Sequence, residues 1–243
     1  MEVEAQRCAD LIKAAASVVF LTGAGISTGA GIPDFRGPNG LYVTKRYDPD
    51  TVFDIRAFKR DPKPFFEFAR DFIALEQTIK PTFTHDFLSK LECRGNIKGV
   101  ITQNIDSLHH KSGSSRVLEI HGSFWQSFCM DCTKAYTYSE VKGSLLAGDF
   151  PRCSCGGLIK PDIVFFGEDV KHMGESMELA SESDLFIIIG SSCVVYPAAY
   201  LPQYANGKIV VVNQGALGID PPNIVLQVSY DIDQFFRKVA HYV

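Results

Sequence analysis

The sequence predicts an α/β fold in which a parallel sheet carries helices on both faces and a small module is inserted. Short apolar runs of strand length alternate with segments of helical periodicity, which is typical of parallel sheets. The first apolar run, 18–21, enters a glycine-rich turn, as in folds that bind dinucleotides. Segment 124–160 breaks the alternation and is rich in cysteine, serine and glycine. We therefore expect a Rossmann-like sheet with one inserted module.

The first predicted elements surround the glycine-rich turn. Apolar residues at helical spacing predict a helix over 4–16, and a strand over 17–21 follows it. The loop over 23–47 is long for a compact domain, which is typical of binding loops and lids. Periodicity then predicts an aromatic-rich helix over 65–79, with most of its phenylalanines in the core, and a short helix over 85–91.

The later elements alternate regularly once the inserted module is set aside. Buried strands are predicted over 97–102, 117–120, 185–189, 209–212 and 224–228, and helices over 171–182 and 231–242. In an open parallel sheet, ligands bind beyond the carboxyl ends of the strands. Polar residues that follow these strands are therefore candidates for a binding site.

Composition and charge argue against several classes of function. A chain of 243 residues with 46% hydrophobic residues suits a packed core and not a disordered chain. The net charge of −4 and the lack of a long basic run give nucleic-acid binding no support. No apolar run approaches the roughly 20 residues of a membrane-spanning helix, and the acidic N-terminus lacks a signal-peptide core. We expect a cytoplasmic monomer, with a nuclear location open if the source is eukaryotic.

The glycine-rich turn fits a phosphate-binding site. Gly23 and Gly25 allow a tight turn and a close approach to a pyrophosphate, and the N–H groups that follow can point at its phosphates. The spacing departs from the dehydrogenase fingerprint, because Thr28 fills the third glycine position and Gly29 comes one residue late. Two glycines alone fit a loop without a ligand equally well. The stretch 34–36 adds an acid, an aromatic and a cation.

Three polar residues follow predicted strands directly. Asn104 and Asp106 lie just after the strand over 97–102, where they could contact a ligand. Both residue types are also good helix caps, which is the structural alternative. His121 follows the strand over 117–120 and precedes a glycine, a position that suits a side chain presented to a pocket.

Four of the seven cysteines form two close pairs: Cys129 with Cys132, and Cys153 with Cys155. Four thiolates suit tetrahedral zinc, and a closed four-cysteine shell leaves no open position for catalysis. We therefore predict a zinc-ribbon module with a structural zinc ion, against the alternative of four free cysteines. This cysteine usage favours a reducing compartment over a disulfide framework.

The motifs together resemble the sirtuin (Sir2-like) family of NAD-dependent protein deacylases. The resemblance covers nearly the whole chain, in the order of the family's motifs, and is carried by 22–37, 102–106, 121–122, the cysteine pairs, 190–192 and 211–213. It implies a single catalytic domain over 1–243. A large NAD-binding part would comprise 1–35, 80–122 and 161–243, with a helical insertion over 36–79 and a zinc-binding insertion over 123–160.

The resemblance implies NAD as a co-substrate. Asp106 and the backbone of Ile105 would hold the nicotinamide carboxamide, and Asn104 would position the ribose hydroxyls. Phe35 would close over the reactive face to exclude water, and Arg36 would place a cation near the pyrophosphate or ribose. The implied cofactor-binding residues are Gly23, Ala24, Gly25, Thr28, Asp34, Phe35, Arg36, Gln103, Asn104, Ile105, Asp106, His121, Gly190, Ser191, Ser192, Asn213, Asp231 and Ile232.

The resemblance also implies the reaction, with His121, Asn104 and Asp106 as the catalytic residues. The acyl oxygen of a modified lysine attacks ribose C1′ and nicotinamide leaves. His121, as general base, then activates a ribose hydroxyl that attacks the resulting imidate. An ordinary imidazole titrates near about pH 6.5, so a neutral base is available. The products are free lysine, nicotinamide and O-acyl-ADP-ribose.

Two segments are expected to bind an acyl-lysine protein or peptide. In the family they sandwich an extended peptide by strand addition, so backbone hydrogen bonds give affinity with little sequence demand. Cys193 stands where the family usually has leucine, which leaves that part of the pocket wall open. The implied substrate-binding residues are Val164, Phe165, Phe166, Gly167 and Glu168, together with Val194, Val195 and Tyr196.

The helix over 65–79 bears on the choice of acyl group. Family members that prefer acidic acyl groups carry a Tyr-x-x-Arg pair on this helix, and alignment puts Ala69 and Phe72 at the two positions. Neither can bind a carboxylate. Arg70 is about 200° around the helix from Phe72 and should face elsewhere. We therefore expect neutral acyl groups, acetyl above all.

Three other functions stay open. A protein mono-ADP-ribosyltransferase would use the same NAD site and begin with the same nicotinamide release. A catalytically silent NAD-binding or zinc-ribbon module is disfavoured because Asn104, Asp106 and His121 occur together. An ordinary dehydrogenase is disfavoured by the glycine spacing and by the lack of a separate substrate domain.

Overall fold

The structure is a computed structural model that describes residues 1–34, 47–76 and 78–243. Two of the predicted cofactor residues, Phe35 and Arg36, lie outside the described residues. The chain divides into two compact units. The first unit comprises Met1–Ile32, Lys80–Ile120 and His172–Val243, and the second comprises Pro33–Ile79 and His121–Lys171.

The described strands and helices are numbered in chain order. The strands are β1 (Val18–Thr22), β2 (Ile97–Thr102), β3 (Val117–Glu119), β4 (Gly122–Cys129), β5 (Ala135–Thr137), β6 (Ile159–Ile163), β7 (Leu185–Ile189), β8 (Lys208–Val212) and β9 (Ile224–Val228). The α-helices are α1 (Glu2–Ala14), α2 (Pro49–Val52), α3 (Ile55–Arg60), α4 (Lys63–Glu76), α5 (Phe83–Leu91), α6 (Leu108–Lys111), α7 (Tyr138–Ala147), α8 (Met173–Ser181), α9 (Leu201–Tyr204) and α10 (Ile232–Val239). Short 3₁₀ helices span Ala24–Ala30, Glu92–Arg94 and Ala198–Tyr200.

The first unit is built on a six-stranded sheet in the order β3-β2-β1-β7-β8-β9, and every neighbouring pair is parallel. The predicted parallel sheet is therefore confirmed. All five residues of β1 and of β7 are buried, as expected for central strands covered on both faces. The strand order reverses between β1 and β7, so their carboxyl ends flank the crevice in which such sheets bind ligands.

Alternation along β1 divides its side chains between the two faces of the sheet. Val18 and Phe20 join one core cluster with Ile12 of α1 and Phe235 of α10. Val19 and Leu21 point to the opposite face of the sheet, and both are as fully buried as Val18 and Phe20. Helix α8 packs against β2, and α1 packs against α10. None of the helices in the described ranges is long and apolar enough to cross a membrane.

The second unit holds a three-stranded antiparallel sheet in the order β5-β4-β6, with helices α2, α3, α4 and α7. Helix α7 begins with a capping box: the Thr137 side chain accepts the backbone N–H of Glu140, and the Glu140 side chain accepts the backbone N–H of Thr137. The sequence analysis grouped 121–122 and 161–171 with the nucleotide-binding part, whereas here they lie in the second unit. The reason is that β4 and β6 pair with each other, from Gly122 opposite Ile163 to Cys129 opposite Ile159.

Two short helices lie between residues 48 and 61, where the sequence analysis named no individual element within the helical insertion over 36–79. Asp48 caps α2 by accepting the N–H of Asp50, and Asp54 caps α3 by accepting the N–H of Ala57 at 2.7 Å. Other boundaries differ by a few residues: α4 begins at Lys63, and α10 ends at Val239 rather than 242.

Candidate active site

The glycine-rich turn joins the carboxyl ends of β1 and β7. The N–H of Gly23 donates to Ile189 O at 3.0 Å, and the N–H of Gly25 donates to Gly190 O at 2.9 Å. A Cβ at Gly25 would lie 2.7 Å from Gly190 Cα, and a Cβ at Gly23 would lie 2.8 Å from Gly190 O. Glycine is therefore required at these positions by the close approach of two strand ends, a reason that the sequence pattern did not supply.

A buried polar cluster follows β2 and the glycine turn. The Ser27 hydroxyl donates to Asp106 Oδ2 at 2.7 Å, and the amide of Asn104 donates to Ser27 Oγ and to Gly23 O, both at 3.1 Å. Ser27, Asn104 and Asp106 are 1%, 8% and 5% exposed. Two of the predicted catalytic residues are thus adjacent, and Ser27 bridges them.

Asp106 also bonds the start of α6, although the N-cap residue of that helix is Ser107 and has no side-chain cap hydrogen bond. Asp106 Oδ1 accepts the N–H of Leu108 at 2.9 Å, at the first residue of α6. Burial raises the pKa of the Asp106 carboxyl, while the hydrogen bonds from Leu108 and Ser27 oppose that shift. The carboxylate thus keeps one oxygen for the helix and one for the cluster.

Gln103 links the ends of β2 and β7. Its side-chain amide donates to Ser191 Oγ at 2.9 Å, and its backbone N–H donates to Thr22 O at 3.0 Å. Ser191 Oγ in turn accepts the N–H of Cys193 at 3.2 Å. The predicted cofactor residues 190–192 therefore stand at the same edge of the sheet as Gln103.

The outlying predicted cofactor residues of the first unit make local bonds. Asn213 donates its side-chain amide to Gly215 O at 2.9 Å, a contact typical of a turn residue. Asp231 caps α10 by accepting the N–H of Gln234 at 2.9 Å, and Ile232 beside it is buried. Thr28 is exposed, and its hydroxyl donates to Gly25 O at 3.0 Å. Asp34 lies in the second unit, beyond the end of the turn.

His121 opens the second unit and is half-buried. Its carbonyl oxygen accepts the N–H of Val164 at 2.8 Å, so the predicted base and the first predicted substrate residue are bonded through their backbones. Gly122 has a φ of 70°, and a Cβ there would collide with Asp162 O. The glycine after the histidine is therefore needed for the close packing of β4 on β6.

The predicted peptide segment of the second unit is held by a buried lysine. Lys160 Nζ donates to Ile163 O at 2.6 Å and to Glu168 Oε2 at 2.9 Å, and it lies 4.0 Å from the Phe165 ring centroid. Glu168 Oε2 also accepts the N–H of Phe165 at 2.8 Å. Phe165 is buried, whereas Phe166 is exposed.

The second predicted peptide segment belongs to the first unit. Val194 and Tyr196 are exposed, and Val195 O accepts the N–H of Ala199 at 2.8 Å. Cys193, where the family usually has leucine, is buried at a φ of 50°. Burial raises the pKa of its thiol to about 11, so it packs as a neutral side chain.

The four paired cysteines form one cluster in the second unit. Their sulfur atoms all lie within 4.8 Å of one another, with Cys129–Cys155 and Cys132–Cys155 separations of 3.5 Å and a Cys132–Cys153 separation of 3.6 Å. Four thiolates about 2.3 Å from one ion would lie at similar separations. A Cβ at Gly157 would lie 2.6 Å from Cys129 Sγ, so this glycine makes room for the cluster. The cluster fits a structural zinc site.

The first unit thus has a parallel α/β sheet with a polar cluster at its strand ends, where dinucleotide-binding α/β proteins hold their ligand, and the second has a four-cysteine cluster that fits a structural metal site. The Sir2 family model matches residues 23–197. The NAD-dependent protein deacetylase of Thermotoga maritima is 45% identical over 236 residues, which cover 95% of this chain and 94% of that protein. The chain therefore belongs to the Sir2 family.

Solved Sir2 structures match nearly the whole chain. A structure described as the basis for the mechanism and regulation of Sir2 enzymes has a TM-score of 0.92 at 38% identity, covering 100% of this chain and 98% of that chain. A Sir2 variant with a deacetylated p53 peptide and 3′-O-acetyl ADP ribose has a TM-score of 0.89 at 42% identity, covering 98% of each chain. The resemblance identified from the sequence motifs is confirmed.

Proposed function

We propose that this chain is an NAD-dependent protein-lysine deacetylase that transfers the acyl group from lysine to ADP-ribose and releases nicotinamide. The observation that carries the proposal is the buried cluster of Ser27, Asn104 and Asp106 beside the glycine turn of a Sir2-family chain. The related deacetylase of Thermotoga maritima and the Sir2 complex with O-acetyl ADP ribose support the same reaction.

The polar cluster is suited to hold nicotinamide and ribose in a reactive geometry. Asp106 offers a buried carboxylate that can accept N–H bonds from the nicotinamide carboxamide, and the Ile105 backbone can complete that contact. Asn104, fixed by Gly23 and Ser27, is assigned to the ribose hydroxyls. Because both side chains are already held by hydrogen bonds, little reorganisation is required when the C1′–N bond breaks.

His121 is assigned the role of general base. The acyl oxygen of the lysine attacks ribose C1′, the C1′–N bond breaks, and nicotinamide leaves with the bonding electron pair. His121 then accepts the proton of a ribose hydroxyl as that oxygen attacks the imidate carbon. Its backbone bond to Val164 supports this role, because the same bond would keep the imidazole in register with the peptide segment.

Residues 164–168 and 194–196 are assigned to an extended acyl-lysine peptide. The exposed side chains of Phe166, Val194 and Tyr196 are available to such a partner, while buried Phe165 anchors its segment. The division of the catalytic domain into an NAD-binding part with helical and zinc-binding insertions belongs to the same proposal. We also propose that the protein is a cytoplasmic monomer that does not bind nucleic acid. The net charge of −4 supports the absence of nucleic-acid binding, and the cysteine usage supports a reducing compartment.

The test is to incubate the protein with NAD and an acetylated peptide. We expect one nicotinamide and one O-acetyl-ADP-ribose for each peptide that becomes lighter by about 42 Da, because hydrogen replaces the acetyl group on the lysine. Release of nicotinamide with ADP-ribose attached to protein, and with the peptide still acetylated, would instead identify the mono-ADP-ribosyltransferase. Absence of nicotinamide release would contradict both.

The His121→Ala variant tests the base within the same assay. We expect a folded protein that binds NAD normally and deacetylates at least about 10²-fold more slowly, because proton transfer by a positioned base contributes this much. His110→Ala serves as the matched control, since His110 is 42% exposed and pairs with Glu119. Near-normal turnover by His121→Ala would remove His121 from the mechanism.

A further inference from the structure

Three tyrosines on one helical stretch of the first unit are exposed to solvent. Tyr196, Tyr200 and Tyr204 are 56%, 46% and 42% exposed. They recur at intervals of four residues through the 3₁₀ turn Ala198–Tyr200 and helix α9, so they lie on one face of the stretch. The residues of the opposite face are buried: Ala198, Ala199, Leu201, Pro202 and Ala205. Polar residues at the three exposed positions would leave that buried face unchanged, so core packing does not account for the tyrosines.

The three rings continue the segment of the first unit that is assigned to the acyl-lysine peptide. Tyr196 is the last residue of that segment, and its ring meets the ring of Tyr200 edge to face, with the centroids 4.7 Å apart. Such a contact covers at most one face of one ring, so ring faces remain open to a partner. An extended peptide that pairs with 194–196 and runs on past Tyr196 would reach Tyr200 and then Tyr204.

The chain around the tyrosines carries acidic side chains and no basic ones. Range 173–207, which includes α8, β7 and α9, contains no lysine, arginine or histidine. Helix α8 packs against α9, and Glu178 on α8 and Glu182 at its end are exposed. Ring faces and carboxylates both attract cations, whereas carboxylates repel phosphate groups. The patch therefore suits a cationic side chain, and it suits neither a nucleic acid nor an anionic membrane.

Other aromatic rings of this chain hold a cation that the chain itself supplies. Lys142 Nζ lies 5.1 Å from the Tyr138 ring centroid, and Arg237 Cζ lies 4.2 Å from the Phe83 ring centroid. Within the described ranges, no lysine or arginine stands over any of the three exposed tyrosines. Their ring faces are thus available to a cation from outside the chain.

We propose that Tyr200 and Tyr204, together with Tyr196, form a subsite for an arginine or lysine side chain that flanks the acyl-lysine of the substrate protein. The cation lies over a tyrosine face, and Glu178 and Glu182 add attraction through space. Arginine fits best, because its planar guanidinium stacks on aromatic faces. The inference rests on the proposed function and deepens it, since it names positively charged sequences as the substrate class. Tyr200 and Tyr204 determine specificity and do not touch the reacting atoms.

The first experiment moves one arginine along an acetylated peptide, through the positions on both sides of the acetyl-lysine, with glutamine at every other flanking position. The all-glutamine peptide is the control. We expect kcat/KM to rise at least about fivefold when arginine is on one particular side, because a cation–π contact contributes this much and the tyrosines extend from 194–196 in one direction. Equal rates for arginine and glutamine, or equal gains on both sides of the acetyl-lysine, would overturn the subsite.

The second experiment replaces both outer tyrosines, as Tyr200→Leu with Tyr204→Leu, and uses Tyr200→Phe with Tyr204→Phe as the matched control. The leucine variant should lose the arginine preference and process the all-glutamine peptide within about twofold of wild type, because leucine is apolar but has no ring face. The phenylalanine variant should keep the preference, since its rings remain. A preference that survives in the leucine variant, or disappears in the phenylalanine variant, would contradict a cation–π subsite.

Calorimetry with the same peptides in the absence of turnover separates this inference from the proposed function. Wild-type protein should bind the preferred arginine peptide at least about fivefold more tightly than the all-glutamine peptide. Equal affinities would overturn the subsite even if both peptides are deacetylated. Tighter binding of the arginine peptide without deacetylation of any peptide would support the subsite and contradict the proposed function instead.

Discussion

Ser27 is the residue that links Asn104 and Asp106, the two side chains assigned to NAD in the polar cluster. Its hydroxyl donates to Asp106 and accepts from Asn104, and no other group in the described ranges is recorded as bonded to both side chains. Ser27→Ala would leave one Asp106 oxygen and one Asn104 N–H without this partner in a buried site. Unmade buried hydrogen bonds of this kind cost roughly 1–3 kcal/mol.

We therefore expect Ser27→Ala to lower kcat/KM for NAD by about 10- to 100-fold, at about 1.4 kcal/mol per factor of ten. Steady-state kinetics with saturating acetylated peptide would measure this loss. Ser181→Ala is the control, because its exposed hydroxyl bonds only the local Glu178 carbonyl. Wild-type kinetics for Ser27→Ala would mean that the hydroxyl does not organise the site.

Residues differ in how far the sequence could reveal their roles. The zinc ligands could be predicted from the spacing of the cysteines. For Asn104 and Asp106, position in the sequence left helix capping open, and the resemblance to the Sir2 family favoured a ligand-binding role. Ser27 could not be separated from its neighbours, since a small residue in a glycine-rich turn has no distinguishing pattern. The ring contact between His85 and His109 joins α5 to α6, and local sequence gives no sign of that contact.

At the scale of elements, we expect helix α4 to decide which acyl group the proposed pocket accepts. Ala69 is fully buried, and Phe72 stacks on Phe68 and Phe124 at centroid distances of 5.8 and 5.0 Å. Arg70 faces elsewhere, as predicted: its Nε donates to Leu145 O at the end of α7, at 3.1 Å. The two positions where family members hold an acidic acyl group are thus apolar here.

We expect acetyl-lysine to be preferred over succinyl-lysine by about 10²-fold or more in kcat/KM, because a buried unpaired carboxylate costs several kcal/mol. Competition between acetyl and succinyl versions of one peptide under limiting enzyme would measure the ratio. A propionyl peptide is the control for size, since it adds bulk without charge. Faster loss of the succinyl group would show that α4 does not line the acyl pocket.

The four-cysteine module is an element whose packing we expect to depend on a bound metal. Cys129 and Cys153 are buried in the cluster, next to the short strands β4, β5 and β6. A small sheet of this kind has little apolar core, and structural zinc contributes folding free energy directly. The proposed metal ligands could be predicted from the spacing of the cysteines. The short helices α2 and α3 could not be predicted, because four to six residues are too few to show a helical period.

We expect one zinc ion per chain in the purified protein, and loss of that ion with destabilised folding in Cys129→Ser. Elemental analysis and thermal unfolding would measure both effects. Cys93→Ser is the matched control, because Cys93 is an exposed free cysteine outside the cluster. Metal-free wild-type protein that remains fully folded would contradict a structural zinc.

At the scale of the whole molecule, the predicted parallel sheet could be derived from sequence because its central strands are continuous buried runs. The position of the boundary after β3 could not be derived, because it depends on the pairing of β4 with β6, which are separated in the chain by residues 130–158. The stability of the whole fold also depends on groups that no motif marks. The buried histidine pair is the clearest case, since its protonation is linked to unfolding.

Stability should fall as the pH falls through the range in which free histidine titrates. Burial lowers the pKa of His85 to about 4, although the charge of Asp233 opposes the shift. Burial also lowers the pKa of His109 well below its usual value, as do His85 and His110. Between about pH 6.5 and pH 4 the unfolded chain therefore binds protons that the folded chain excludes. The stability contributed by neutral His85 is fully present above about pH 6.5 and declines below it.

At about 1.4 kcal/mol per pH unit, protonation of unfolded His85 should lower the free energy of unfolding by about 2 kcal/mol between pH 7 and pH 5. Asp106 acts in the opposite sense at lower pH, because its raised pKa makes the folded chain take up a proton first. Denaturant unfolding of wild type and His85→Phe at both pH values isolates the histidine contribution from zinc loss, which affects both proteins. The variant should show a pH dependence smaller by about 2 kcal/mol. An identical pH dependence in the two proteins would mean that His85 is not held neutral in the fold.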